Sequence, residues 1–338
     1  MKQGVWSVDD ARSLRSQDGA RRSQWHDAYG RHVQGLVQAA FQASGTVFGD
    51  RVYAPVLRRA SARMNANCDT AYEGYRPKTT DVICSAYFKA GTNWIMHVCY
   101  QIAHLGQGEF AHIQDEIAWP DAAQPRYWRA LTDDNASASP TGFRVVKSHL
   151  SAGRSPVDSP AKFIAMTRDP VDCAASGYHF FAKLYFGPMT PPPDVWLRFF
   201  GSDRAFWGPW FDFTASWWAE RHRDNVLFLC FEDMKAAPEK TVAQIAGFLG
   251  VELSTDQIER VLERTSFKAM KAQNEKFYPV RQTIWSMPTG EIIRKGAVGD
   301  GNALFSEGAI QGYRAAMSEG LTKARSDFPF YALFEGAS

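Results

Sequence analysis

The sequence predicts an α/β fold with a mostly parallel central sheet flanked by helices on both faces. Three observations predict it. Short apolar runs alternate with segments of helical periodicity, the first run ends in a Gly-containing turn that opens a helix pattern, and helix start and stop signals separate the later runs. A chain of 338 residues buries roughly three quarters of its unfolded surface, so no metal or disulfide staple is required for a core.

Residues 1–50 are polar, with helical periodicity strongest at Val33, Leu36, Val37, Ala40 and Phe41. They hold no site motif and are expected to form a helical N-terminal extension to one domain over 51–338. The first buried strand is expected at Asp81–Phe88, after Arg76-Pro77, and the helix behind it repeats apolar residues at Ile95, Val98, Cys99 and Ile102. Phe143–Lys147 and Lys162–Thr167 read as further strands. Asp169-Pro170 then opens a helix, with Asp as N-cap and Pro in the first turn. Asn225–Phe231 reads as a fourth buried strand and Pro238–Leu249 as a helix closed by Gly250. Ser254 and Gln257 form a capping box for a helix running to about Arg264.

Composition excludes several classes of function. Lys and Arg number 38 against 36 Asp and Glu, and a net charge of +2 gives nucleic acid no broad basic surface to wrap. No apolar run reaches the roughly 18 residues of a membrane span, and the N-terminus has no signal-peptide core. The five cysteines (Cys68, Cys84, Cys99, Cys173, Cys230) are scattered, which argues against a disulfide framework and for a reducing compartment, the cytoplasm. No metal-ligand spacing occurs. Aromatic residues make up 14% of the chain, enough for a dense core or an aromatic-lined pocket.

The segment Lys89-Ala90-Gly91-Thr92-Asn93-Trp94 lies between the first strand and its helix, where backbone amides and a helix N-terminus suit an anionic group. It is equally a tight βα turn with a solvated lysine, and it lacks the G-x-x-x-x-G-K-[ST] order of a Walker A loop. Arg168 ends another strand with Ser176 on the following helix, Lys147-Ser148-His149 ends a third, and Arg294-Lys295-Gly296 with Gly299-Asp300-Gly301 forms a late basic loop. Singly, each is as well explained by structure. In a parallel sheet the strand ends converge on one edge, where such folds bind ligands.

Together these segments resemble the cytosolic sulfotransferase family, which uses 3′-phosphoadenosine 5′-phosphosulfate. The family's Y-P-K-S-G-T-T-W is similar to Tyr87–Trp94, its K-T-H to Lys147-Ser148-His149, and its R-N-x-x-D-x-x-x-S-x-Y-H-F to Arg168–Phe180. F-Y-E-D-M-K resembles Cys230–Lys235, T-S-F-K-x-M resembles Thr265–Met270, and R-K-G-x-x-G-D resembles Arg294–Asp300. The matches keep the family's order over roughly residues 75 to 305. The resemblance implies a P-loop-like strand–loop–helix that binds phosphosulfate. Lys89, Ala90, Gly91, Thr92, Asn93 and Trp94 would hold the 5′-phosphosulfate, with Trp94 close to the adenine. Arg168, Ser176, Arg294, Lys295 and Gly296 would bind the 3′-phosphate. Thr265 and Phe267 would lie against the purine, and Phe231 near the nucleotide. His149 would be the general base, with Lys89 and Lys147 as its catalytic partners at the transferring group. No metal is implied.

Departures are visible. Asn93 replaces a Thr, Ala90 a Ser, Phe231 a Tyr, and Gly301 the Trp that follows Gly-Asp. The family's dimerisation stretch is not recognisable between Asn302 and Tyr313, so no oligomeric state is inferred. Phe88, Trp119, Phe180 and Phe181, with Tyr185 and Phe186, are expected either as core or as an apolar pocket for a small hydrophobic or aromatic acceptor bearing a hydroxyl or an amine. The alternatives are a P-loop-type nucleotide-dependent kinase, disfavoured by the missing Gly-Lys-Ser/Thr, and a non-catalytic nucleotide-binding module, disfavoured by retention of both Lys89 and His149.

Overall fold

The computed structural model describes residues 6–134, 138–278, 283–286 and 292–334. Four strands form one sheet: β1 (Asp81–Ala86), β2 (Arg144–Ser148), β3 (Lys162–Thr167) and β4 (Val226–Cys230), in the order β2-β1-β3-β4. All three pairings are parallel, as expected. Alternate residues feed two apolar layers. Val82, Cys84, Ala86, Val145, Ile164 and Met166 face one layer, and Ile83, Val146, Phe163 and Ala165 face the other. Burial on both sides explains why these strands read as unbroken apolar runs.

The chain enters through α1 (Val8–Trp25), α2 (Arg31–Phe48) and α3 (Ala54–Met64). After β1 come α4 (Thr92–Ala103) and the single turn α5 (Ile113–Glu116). α6 (Pro170–Phe181), α7 (Pro193–Phe200) and α8 (Trp210–Ala219) separate β3 from β4. The short α9 (Phe231–Ala236), then α10 (Pro238–Leu249), α11 (Thr255–Thr265), α12 (Phe267–Ala272) and α13 (Glu307–Lys323) follow. α4, α10 and α11 cover the first layer through Ile95, Val98, Ile102, Val242, Ile245 and Val261. α6, α7, α8 and α13 cover the second, which is built on Trp196, Phe200, Phe213, Trp217 and Met317.

The cap signals operate as the sequence indicates. Asp169 accepts the Val171 and Asp172 amides, Gly250 closes α10 in the left-handed region, and Ser254 and Gln257 make a reciprocal capping box. Two expected strands run too long. β1 stops at Ala86 because Lys89 takes a positive φ of 69° and the Ala90 amide turns back to the Tyr87 carbonyl at 2.8 Å. Phe231 starts α9 instead of ending β4.

At the N-terminal edge of the sheet, Arg144 Nε donates to Asp81 Oδ1 at 2.6 Å with both side chains buried, and Tyr75 Oη and the Lys78 amide donate to Asp81 Oδ2. Asp81 and Arg144 are also register partners, so this ion pair fixes how β1 meets β2. Removing one partner strands the other charge out of water, and Arg144→Ala is expected to lower the unfolding free energy by about 3–5 kcal/mol in urea titrations.

Candidate active site

Each strand's C-terminal end delivers a candidate residue to one cavity of about 280 Å³. β1 leads into the Lys89–Trp94 loop, β2 into His149, β3 into Arg168 and β4 into Phe231. The wall also carries Lys147, Ser176, Thr265, Phe267, Arg294, Lys295 and Gly296, together with the aromatics Phe88, Trp119, Phe180 and Phe181. Two expected residues are not on it. Ala90 is wholly buried with its side chain in the apolar core, and Phe186 packs into the same core against Phe181 and Trp196.

Backbone conformation shapes the loop. Gly91 has φ 97°, and a Cβ there would come within 2.8 Å of the Phe231 ring, so only glycine closes this turn. Gly91 gives α4 no side-chain cap, and its carbonyl takes the Trp94 and Ile95 amides. The Thr92 and Asn93 amides, orphaned by helix geometry, are left at a cavity that both residues line. Lys89 Nζ lies 4.4 Å from the centre of the Phe180 ring.

A basic wall faces this loop. Arg168 Nη2 donates to Asp172 Oδ2 at 3.0 Å and to the Ala297 carbonyl at 2.7 Å, its Cζ lies 4.3 Å over the Phe231 ring, and its buried Nε has no partner among the described residues. Asp172 also accepts the Gly299 and Gly301 amides, which ties the Arg294–Gly301 loop to α6. Arg294 and Lys295 both pair with Asp300. Gly301 explains one departure from the family pattern: a Cβ there would meet the Val171 carbonyl oxygen at 2.8 Å, leaving no room for Trp.

The third wall surrounds His149. Its Nδ1 lies 2.6 Å from the Ala86 carbonyl oxygen. A carbonyl can only accept, so Nδ1 carries the hydrogen and Nε2 keeps its lone pair. Burial, then Lys147 and Lys89, hold the imidazole well below the usual histidine range, so it is neutral near pH 7. Trp207, Trp119 and Phe88 enclose the ring at centroid distances of 4.6, 5.1 and 5.9 Å. Lys147 Nζ sits 3.4 Å from the Trp119 ring centre and 4.8 Å from that of Trp128. Burial pushes Lys89 down to about 8, helped by Arg168, and Lys147 down to about 7.

Sequence patterns did not point to Asp121, Trp207, Tyr127 or Trp128. The two tryptophans and Tyr127 line the cavity, and Asp121 lies behind it. Tyr127 and Trp128 are also where α1 docks. Arg15 donates to the Tyr127 carbonyl at 2.5 Å, Arg22 to the Tyr127 hydroxyl at 3.0 Å, and Trp6 Nε1 to the Trp128 carbonyl at 2.9 Å. No local motif announces these contacts, which span more than a hundred residues. Among the described residues, no group of three or more His, Cys, Asp or Glu could hold a metal, and no helix is long and apolar enough to cross a membrane.

The lysine shift has a thermodynamic consequence. Between about 7 and 10.5 the unfolded chain holds a proton on Lys147 that the folded chain has released, so stability rises with pH across that window. Lys147→Met is expected to melt at a higher temperature than the parent near pH 7. The gap should narrow as pH is raised toward 10.5, which melting curves across this range would check.

Comparison with known proteins agrees with the geometry. Residues 79–325 match the family described as Sulfotransferase domain. Sulfotransferase 2A1 of Rattus norvegicus is 30% identical over 246 residues, covering 72% of this chain and 84% of the rat protein. The fold is similar to that of mouse sulfotransferase SULT7A1 complexed with PAP, with TM-score 0.62 and 22% identity over 82% of this chain and 95% of that one. It is also similar to retinol dehydratase in complex with androsterone and the inactive cofactor PAP, with TM-score 0.63 and 21% identity over 79% of this chain and 87% of that one. A family match across most of the chain, on a cavity assembled from that family's own motif segments, means that the chain belongs to the sulfotransferase family.

Proposed function

We propose that this sulfotransferase moves a sulfuryl group from 3′-phosphoadenosine 5′-phosphosulfate to a hydroxyl or amine of a small hydrophobic or aromatic acceptor, with His149 as general base. The observation that carries the reading is the meeting, in one cavity, of a neutral histidine with a free Nε2, two desolvated lysines and a separate basic wall. The residues fit the donor. The unpartnered buried Arg168 Nε calls for an anion, and the Thr92 and Asn93 amides at the start of α4 suit one.

When bound, the donor supplies an activated sulfuryl group whose bond to the 5′-phosphate oxygen breaks as the acceptor oxygen bonds to sulfur. Lys89 and the Thr92 and Asn93 amides hold the 5′ end and neutralise charge on the departing phosphate. Lys147 faces the peripheral oxygens, and His149 Nε2 takes the acceptor proton. Arg168, Ser176, Arg294, Lys295 and Gly296 hold the 3′-phosphate, while Trp94, Phe231, Thr265 and Phe267 flank the purine. Phe88, Trp119, Phe180, Phe181 and Trp207 line the acceptor side. Residues 1–50 extend the domain at 51–338, and α1 braces the acceptor wall at Tyr127. The five cysteines are all free and buried, which supports a reducing compartment, the cytoplasm.

Calorimetric titration with adenosine 3′,5′-bisphosphate, adenosine 5′-phosphate and ATP tests the donor. The bisphosphate is expected to bind much the tightest without metal. Tighter ATP binding that needs magnesium would favour a kinase. Arg168→Ala is expected to weaken the bisphosphate about tenfold or more and adenosine 5′-phosphate far less. Equal losses would remove Arg168 from the 3′-phosphate. His149→Ala is expected to lower turnover by roughly 10²–10⁴-fold with bisphosphate affinity nearly intact, and an active variant would end the base assignment.

A further inference from the structure

We propose that Asp121 is a positioning residue for the transfer, a buried carboxylate that aligns the base and the second lysine through hydrogen bonds to Trp119 and to the His149 main chain. The proposal rests on the roles given above to His149 and Lys147. Asp121 follows Trp119-Pro120 in the loop after α5 and has no solvent exposure. Its Oδ2 accepts the Trp119 indole N–H and the His149 amide, each at 3.0 Å. Its own carbonyl accepts the Trp207 indole N–H at 3.1 Å. One residue therefore ties down the backbone that carries the imidazole and the two indoles that stack on each other beside it, with centroids 5.7 Å apart and planes 27° apart.

The same indole is the surface on which Lys147 Nζ rests. A carboxylate held at the indole N–H adds electron density to that ring and negative charge behind it, and both favour the ammonium form of the lysine. The charged and titratable groups around Lys147 are few. Asp121 favours its protonation, Lys89 from the β1–α4 loop opposes it, and His149 is neutral. Asp121 is itself pushed up to about 6 by burial, so it is ionised near pH 7. Tyr72 and Cys68, the other titratable groups near it, stay neutral there because burial raises both. A buried carboxylate that meets no cation in a hydrogen bond, beside a site that must bind an anionic donor, is costly for folding alone. It makes physical sense where its charge and geometry serve the reacting groups.

The test uses the full chain, with β-naphthol as acceptor and adenosine 3′,5′-bisphosphate as nucleotide. Asp121→Asn keeps the shape and an acceptor oxygen but removes the charge. The expected result is bisphosphate affinity little changed, kcat lowered roughly 10–100-fold, and the alkaline limb of kcat against pH moved to lower pH, because Lys147 gives up its proton more readily. Trp119→Phe removes the shared N–H and should shift the limb in the same direction. The double variant should lose no more than the worse single one, because both act through one contact. An unmoved limb in both variants, or losses that multiply, would overturn the proposal. If Asp121→Asn fails to fold, Trp119→Phe alone decides by the position of its limb. A parent protein that shows no preference for the bisphosphate, or no transfer to β-naphthol, would instead overturn the functional reading, and this proposal with it.

Discussion

Parallel pairing of the four strands is the constraint on which the rest of the molecule depends. Strands that all run one way leave all their C-terminal ends on one edge, so the loops after β1, β2, β3 and β4 meet although they are far apart in sequence. The buried Asp81–Arg144 pair at the opposite edge fixes the β1–β2 register, and the loops after these two strands bring Lys89 and His149 to one cavity. A slip of one residue would turn the alternate side chains of a strand toward the wrong apolar layer, so the packing of both layers guards the same alignment.

The cavity is an electrostatic device as much as a shape. Burial makes Lys89 and Lys147 titrate well below an ordinary lysine, so negative charge placed beside them would be stabilised. Arg168 is treated differently. Asp172 pairs with it, and the same carboxylate gathers the amides of the late glycine loop, so the guanidinium is aimed without being fully satisfied. Arg294 and Lys295 share Asp300 in the same way. An anionic ligand would complete these groups and take over part of the work the carboxylates do without it.

Around His149 the order comes from aromatic packing and one carboxylate. The Ala86 carbonyl sets the tautomer, the rings of Trp119, Trp207 and Phe88 set the orientation and exclude water, and Asp121 holds the set together. α1 reaches this wall from outside. Its arginines grip Asp115 and Tyr127, so α1 is part of the scaffold behind this side of the cavity.

The sequence by itself determined the fold class, the four strands to within a residue or two, the helix caps, and most side chains that reach the cavity. These features are local: apolar periodicity, an Asp-Pro helix start, a glycine that alone tolerates φ 97°, and motif segments in a fixed order. Phe231 was misplaced at the end of a strand because a run of apolar residues does not say where the hydrogen-bond ladder ends. Tertiary structure alone decided that Asp121 reaches the His149 amide, that Trp207 closes over the imidazole, and that Lys147 lies on Trp119. Those contacts join segments 28 and 58 residues apart, and their energies come from desolvation and ring geometry, which exist only once the layers have packed.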